Sequence, residues 1–265
     1  VDEVKRRYSW SKLVWLFLGA LYFLIPLLAT LQFSLEEGGG RLGFGSYAFI
    51  FSDPFFWDSI WFSFKLAVGT IIISMVLLVP TVYWVRLKLP RLRPVLEFVS
   101  VLPFVVPPIV LIIGLLNLYR GAPAWFVGTP LILLFAYVIH ALPYVYRSVD
   151  VGMQAIDIRT LTEAAQSLGA GWRTILLRVI VPNLRVAVMG GSFLTFAIIL
   201  GEYTMASLML FTSFAVYIAY VGQTQTNPAA ALTLISFAMT WIAMLSLLSI
   251  GREPAGDEVH IGGGG

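Results

Sequence analysis

The sequence predicts an all-α polytopic membrane protein of about six transmembrane helices. Three observations lead there. Apolar segments of about twenty residues, the length that crosses a hydrocarbon core about 30 Å thick, recur along the chain. Only 12% of the 265 residues are charged and the mean hydropathy is +0.88, whereas a soluble domain carries about 25% charged residues. The basic residues also sort into short stretches between alternate apolar segments, as they do on one side of a membrane.

Taken in order, Lys5, Arg6, Arg7 and Lys12 (within a segment 1–12) precede an apolar run from Leu13 to about Phe33. The run is too long for a signal-peptide core and no small-residue cleavage site follows it, so it reads as the first span. Residues 34–58 read as an acidic, aromatic loop holding Glu36, Glu37, a Gly38–Gly40 turn, Asp53 and Asp58. Phe55, Phe56, Trp57 and Trp61 have the composition of an interfacial belt. A second span is expected at about 59–85, with Lys65 able to snorkel from its end. After the basic loop of Arg86, Lys88, Arg91 and Arg93 comes a third span at about 95–118. Pro103, Pro107 and Pro108 break its helix, either facing a pathway or merely kinking a packing helix. The fourth span is placed at about 129–147, with His140 as a hydrogen-bonded packing histidine rather than a proton relay. The fifth, at about 186–210, carries Gly190-Gly191 for close packing. Residues 211–228 form an uncharged loop or re-entrant turn, and the sixth span covers about 229–250. The permease domain thus runs from 13 to 250. The tail, 251–265, ends in Gly262–Gly265 and reads as partly expression-derived.

A polar island from Thr160 to Pro182, within a loop at 150–185, interrupts this series. Thr160 and Glu163 have the spacing of a capping box, with Thr160 as N-cap. Leu161, Ala164, Ala165 and Leu168 recur at i, i+3, i+4 and i+7, which predicts one apolar stripe on a two-turn helix. Gly169 supplies a left-handed stop. A helix this short is marginal alone, so it is expected to dock. Trp172, Ile175, Leu176 and Val179 then share a face of a second amphipathic segment, with Arg173 and Arg178 off it. Such a basic segment can lie in the membrane interface, and Pro182 is expected to end it.

Glu163-Ala164-Ala165, three residues, Gly169, nine residues, then Val179-Ile180-Val181-Pro182 resembles the EAA loop of binding-protein-dependent ABC importer permeases, EAA-x3-G-x9-I-x-L-P. The departures are Val179 for Ile and Val181 for Leu. The resemblance runs from about Ile60 onward and is sharpest from Glu163 to Met209. It implies a type I ABC importer permease fold in which the first helix of the loop is a coupling helix. Glu163, Ala164, Ala165, Leu168, Gly169 and Ala170 would then contact a dimeric cytoplasmic ATPase. It implies further partners: a second homologous permease subunit, most simply a distinct one in a heterodimer, an extracytoplasmic substrate-binding protein and the lipid bilayer. ATP and Mg would be bound by the ATPase and no cofactor by this chain.

An N-terminus on the cytoplasmic side puts Lys5, Arg6, Arg7, Lys12, Arg86, Lys88, Arg91, Arg93, Arg147, Arg159, Arg173, Arg178, Arg185 and Arg252 inside, 14 of the 17 basic residues. Only Arg41, Lys65 and Arg120 fall outside, and the positive-inside rule favours this orientation in a bacterial inner membrane. The charges sort by membrane side, so they are no nucleic-acid signal. The chain has no cysteine for disulfides or thiolate ligands, and His140 and His260 are too far apart in sequence to suggest a metal site. It contains no GxxxxGK[ST] loop and no HExxH, so it reads as a non-catalytic subunit.

The segment Phe196–Met209 most resembles the spermidine/putrescine (PotC-like) branch of these permeases, which implies a polyamine substrate. An intramembrane carboxylate costs about 2.5–3.5 kcal/mol on insertion scales and so has a partner or a task. Glu202 and Tyr203 offer a charge and a π face to a polyammonium. Candidate pathway residues are therefore Glu202, Tyr203 and Thr204, with Pro107 and Asn117 on the proline-broken span. A structural pairing of Glu202 is the alternative. A Gly-Glu-aromatic run also occurs in related permeases for ferric iron, sulfate or molybdate, and thiamine and phosphonate remain further options. An ion-coupled secondary transporter is a different class, but it would show an internal repeat with matching broken helices. Neither a repeat nor a second acidic site beside Glu202 is evident; Glu97 lies near the start of its span.

Overall fold

The computed structural model describes residues 2–37 and 41–251; the Gly38–Gly40 turn, His260 and the Gly262–Gly265 tail lie outside the described residues. Helix α1 (Asp2–Leu35) contains an apolar span at Lys12–Leu35 that lies on the outside of the molecule, against α14 and α2. The 34–58 segment is more ordered than a loop. A two-residue hairpin pairs Glu36 with Leu42 and Glu37 with Arg41, and α2 (Gly45–Ser52) follows. Helix α3 (Pro54–Leu87) starts five residues before the expected span. The Asp53 carboxylate accepts from the Phe55 N–H at 2.9 Å, and Pro54 at the first helical position has no N–H to leave unpaired.

The aromatic belt is only partly what its composition suggests. Phe55, Trp57 and Trp61 are exposed, and Lys65 Nζ lies 6.0 Å from the Trp61 ring centre. Phe56, in contrast, is buried against Phe214 and Tyr217. Helical spacing, not composition, decides this, since Phe56 faces inward between its exposed neighbours.

The third span is sharply broken. A 3₁₀ turn at Pro90–Leu92 leads into α4 (Arg93–Val105), and α5 (Pro108–Leu118) leaves at 106°. Pro107 and Pro108 lack the N–H groups that would continue α4, and Pro107 disfavours α geometry at Val106, which is extended. The short α6 (Ala124–Val127) follows, then α7 (Pro130–Ala155), which runs eight residues beyond the expected fourth span. Helix α8 (Ile158–Ser167) is the polar island's first helix.

The second amphipathic segment is continuous from Trp172 to Asn183, built as α9 (Trp172–Thr174), a π turn (Ile175–Ile180) and α10 (Val181–Asn183). Pro182 therefore does not end it. The wider π turn accommodates a residue that cannot donate to the preceding turn. The break comes at Leu184, where α11 (Arg185–Leu200) departs at 75°. That helix ends ten residues before the expected end of the fifth span. Two short helices, α12 (Thr204–Leu208) and α13 (Phe214–Thr224), occupy what sequence patterning left as span end and turn. The last helix is α14 (Thr226–Gly251).

Four described helices are long and apolar enough to cross a membrane alone, and the number is six if each bent pair makes one crossing. Helices α3, α7 and α11 pack together at the centre. Gly152 lets α7 and α11 meet: a Cβ there would fall 2.4 Å from that of Ala187. The neighbouring Ser148 hydroxyl donates to the Ala187 carbonyl at 2.6 Å. Of the expected Gly190-Gly191 pair, Gly191 makes the close contact, where a Cβ would meet Met75 and Ser148 at 3.0 and 3.1 Å. His140 departs from expectation, since its Nδ1 is buried with no hydrogen-bond partner among the described residues.

Candidate coupling site and translocation pathway

The arginine-rich end is assembled around Asp150, a residue that patterning did not single out. Arg86, at the end of α3, donates to one Asp150 oxygen through Nε at 2.7 Å and through its terminal nitrogen. Arg93 lies 3.7 Å from the other oxygen, to which Gln154 donates at 2.8 Å. One buried carboxylate thus fastens α3, α4 and α7 just before the polar island. The signal available in sequence was weak: an acidic residue among basic ones at the end of a span. Its principal partner is 64 positions away.

Helix α8 follows this cluster in sequence and packs on the π turn at Ile175–Ile180. Its N-cap is Asp157, not Thr160: the Asp157 carboxylate accepts from the Thr160 N–H at 3.1 Å and the Thr160 hydroxyl at 2.7 Å. These bonds hold the exposed Asp157 carboxyl below the usual carboxylate range. The true signal was an Asp three residues before Thr160, with Ile156 and Leu161 placed as a hydrophobic staple. Glu163 does not reach back. It lies 3.3 Å from Arg159 on the exposed side. The expected stripe is split. Ile158, Thr162 and Ala165 are buried and Leu161 partly so, whereas Ala164 is exposed and Leu168 is 88% exposed. The Tyr83 and Thr162 hydroxyls hydrogen-bond at 3.1 Å, tying α8 to α3. The left-handed stop is present: Gly169 has φ +78°, and the Ala170 N–H donates to the Ala165 carbonyl at 3.0 Å. The face carrying Glu163, Ala164, Leu168 and Gly169 is open, while Ala165 and Ala170 face the molecule.

At the opposite end, Glu202 follows directly on the end of α11 and is 7% exposed. One carboxylate oxygen accepts from the Met205 N–H at 2.8 Å. The other accepts from the Tyr137 hydroxyl at 2.9 Å and the Ala206 N–H at 3.3 Å. Glu202 therefore satisfies the unpaired N–H groups at the start of α12, as an N-cap would. Tyr203 is exposed and Thr204 half-buried. Helix α12 packs on α5, with Met205 and Ala206 in the same apolar cluster as Ile112. The structure so brings the two candidate pathway elements together, although Pro107 and Asn117 are themselves exposed and Asn117 donates to the Ile113 carbonyl. A groove of about 690 Å³ lies elsewhere, between α4, α7 and α11. Its lining includes Phe104, Tyr144, Arg147 and Asn183 and none of the expected pathway residues. Among the described residues no group of three His, Cys, Asp or Glu side chains is placed to hold a metal.

Comparison with known proteins agrees with this architecture. The chain is 25% identical to the inner membrane ABC transporter permease protein YcjO of Escherichia coli, over 77% of this chain and 78% of YcjO. It is 28% identical to the molybdenum transport system permease ModB of E. coli (62% and 81%). Identity reaches 35% with the spermidine/putrescine transport system permease PotC of E. coli, over 45% of each chain. In fold it matches a chain of a bacterial ABC transporter involved in the import of the acidic polysaccharide alginate, with a TM-score of 0.70 at 14% identity, covering 95% of this chain and 99% of that one. A chain of an amino acid ABC transporter gives 0.52 at 20% identity, over 77% and 96%. Residues 87–252, more than half of the sequence, match the family described as binding-protein-dependent transport system inner membrane component, and the chain belongs to that family of ABC importer permeases.

Proposed function

We propose that this chain forms half of the translocation pathway of an ATP-driven importer and that α8 couples it to a cytoplasmic ATPase. One observation carries this reading: α8 is fixed on its inner side by Tyr83, Ile158 and Ala165, yet keeps Glu163, Ala164 and Leu168 open. An exposed leucine between a glutamate and a left-handed glycine is a feature to cover with a partner. The basic residues at that end support a cytoplasmic position for it, with the N-terminus on the same side. The remaining partners would be a second permease subunit, most simply a different one, and an extracytoplasmic binding protein. The two alginate transporter structures, one with its periplasmic protein bound, are consistent with such an assembly.

For substrate we propose a polyamine, supported by the 35% identity to PotC. Glu202 adds nothing to that support, because both its oxygens are occupied within the chain. A second reading, a small oxyanion, is favoured by Arg147 in the groove between α4, α7 and α11 and by the longer match to ModB. Proteoliposomes containing the assembled complex test both levels. Uptake should require ATP, the ATPase and the binding protein. Uptake driven by an ion gradient without ATP would overturn the importer reading. A panel of spermidine, putrescine, molybdate and sulfate separates the substrates.

A further inference from the structure

A groove of about 500 Å³ lies where the segment after α8 crosses α3. Met75, Val76 and Val79 form one wall and Leu176, Leu177 and Val181 the other. The wall on α3 is within a membrane-spanning helix, and Val76 and Leu177 are exposed at the opening. Charge enters at one place only: Arg173 lines the groove and its guanidinium lies 5.5 Å from the centre of the Trp172 ring. Arg173 makes no ion pair among the described residues. Trp172 in turn meets Trp84 edge-to-face at 6.1 Å, and both rings are about half exposed. Exposed tryptophans at a helix end mark the headgroup level of a bilayer. Trp84 lies nine residues beyond Met75 on α3, about 13 Å along the helix axis. The groove therefore runs from headgroup level into the hydrocarbon region.

We propose that this groove is a binding site for an anionic phospholipid, with an acyl chain between α3 and the 172–183 segment and the phosphate at Arg173. The occupant follows from charge and position. A non-helical protein segment lying there would bring backbone N–H and C=O groups into an apolar slot at membrane depth, where nothing satisfies them. A lipid tail has none, and its headgroup ends where the cation and the tryptophans are. Basic residues at this level attract anionic lipid in general, and the slot gives Arg173 a specific geometry. The lipid would bridge a central span and the segment leading out of α8, stiffening the joint between them.

The test is native mass spectrometry of the assembled transporter, purified from membranes containing phosphatidylglycerol and phosphatidylethanolamine. Wild type is expected to retain phosphatidylglycerol. Arg173→Gln should lose it, Arg173→Lys should keep it, and Val76→Trp, which fills the slot and leaves the cation, should also lose it. Melting in detergent checks that each variant is folded, so lipid loss is read apart from transport. Equal phosphatidylglycerol retention by wild type, Arg173→Gln and Val76→Trp would overturn the proposal. So would a disulfide formed under added oxidant between Val76→Cys and a cysteine introduced in the second permease subunit, since a protein would then cover the groove.

Discussion

Two short helices, α8 and α12, each follow the end of a long apolar helix, and they are secured in opposite ways. Helix α8 is capped from the solvent side by Asp157 and held from beneath by Thr162 and Ala165. Helix α12 is capped from inside the protein by Glu202, which also accepts from Tyr137. Their ends differ too. Both close on a residue in the left-handed region, but at α8 it is Gly169 at φ +78° and at α12 it is Leu210 at φ +61°. The difference teaches how a glutamate is to be read. Glu163 is at a surface whose scaffold is complete without it, and it pairs there with Arg159. Glu202 is part of the scaffold, so its charge is spent within the chain.

The contrast is broken most severely by removing the Asp150 platform that joins α3, α4 and α7 just before α8. Asp150→Ala leaves Arg86 largely buried without its carboxylate, and losing one member of a buried pair costs about 3–5 kcal/mol. Melting of the purified complex should drop markedly, and α8 should lose amide protection with it. Replacing both members, Arg86→Met with Asp150→Leu, should recover much of the stability, because no charge is left stranded. An unchanged melting temperature in Asp150→Ala would show that α8 does not depend on that platform.

At the other end, Glu202→Gln exchanges a charged acceptor of three hydrogen bonds for an amide with one oxygen. Hydrogen bonds to charged groups contribute about 1.5–3 kcal/mol, so stability and complex yield should fall together with uptake. Lost uptake in a complex of wild-type yield and melting temperature would return Glu202 to the pathway and end the contrast with Glu163.

The helix stops give a smaller and opposite pair. Gly169→Val forces a branched side chain into the left-handed region, at about 1–2 kcal/mol. A Cβ there meets nothing within 4 Å in this chain, so the cost is conformational. ATPase pull-down should weaken while the membrane fold persists, and Gly169→Asn should retain more binding than Gly169→Val. Leu210→Gly should do the reverse and relieve strain by about 1 kcal/mol, read as a raised melting temperature. If both substitutions destabilise equally, the two left-handed residues are not equivalent stops.

What could be read in advance followed sequence distance. The spans were legible because twenty apolar residues have few alternatives, and the polar island because its glycine and its spacing are local. The breaks at Pro107 and Leu184 were only partly legible. Proline announces a lost hydrogen bond, but the 106° and 75° angles come from the helices packed on either side. The Arg86–Asp150 and Tyr83–Thr162 ties join residues 64 and 79 positions apart, and no local pattern pairs them. Glu202 was half legible: a structural pairing was one of its two readings and its spacing to Met205 is that of a cap, but its partner Tyr137 lies 65 positions away.

Asp157 and Glu163 provide the finest test, because Asp157 holds the start of α8 where Thr160 and Glu163 were expected to. Glu163 pairs with Arg159 at the surface, so Glu163→Ala should change local stability by no more than about 0.5 kcal/mol, as exposed i,i+4 pairs do. Asp157→Ala should do more, since it strips the acceptor from both the Thr160 N–H and the Thr160 hydroxyl. The Asp157 carboxyl titrates lower in the folded state than in the unfolded chain. Its contribution is therefore complete above the ordinary Asp range, near 3.9, and is lost as pH falls through the depressed folded value. Amide exchange at Thr160, corrected for its intrinsic pH dependence, should show protection falling on acidification in wild type. Asp157→Asn keeps a capping oxygen without a titrating proton, so its protection should stay flat over the same range. A wild-type profile as flat as that of Asp157→Asn, with loss instead in Glu163→Ala, would restore Glu163 as the cap and leave α8 without a glutamate to spare for its partner.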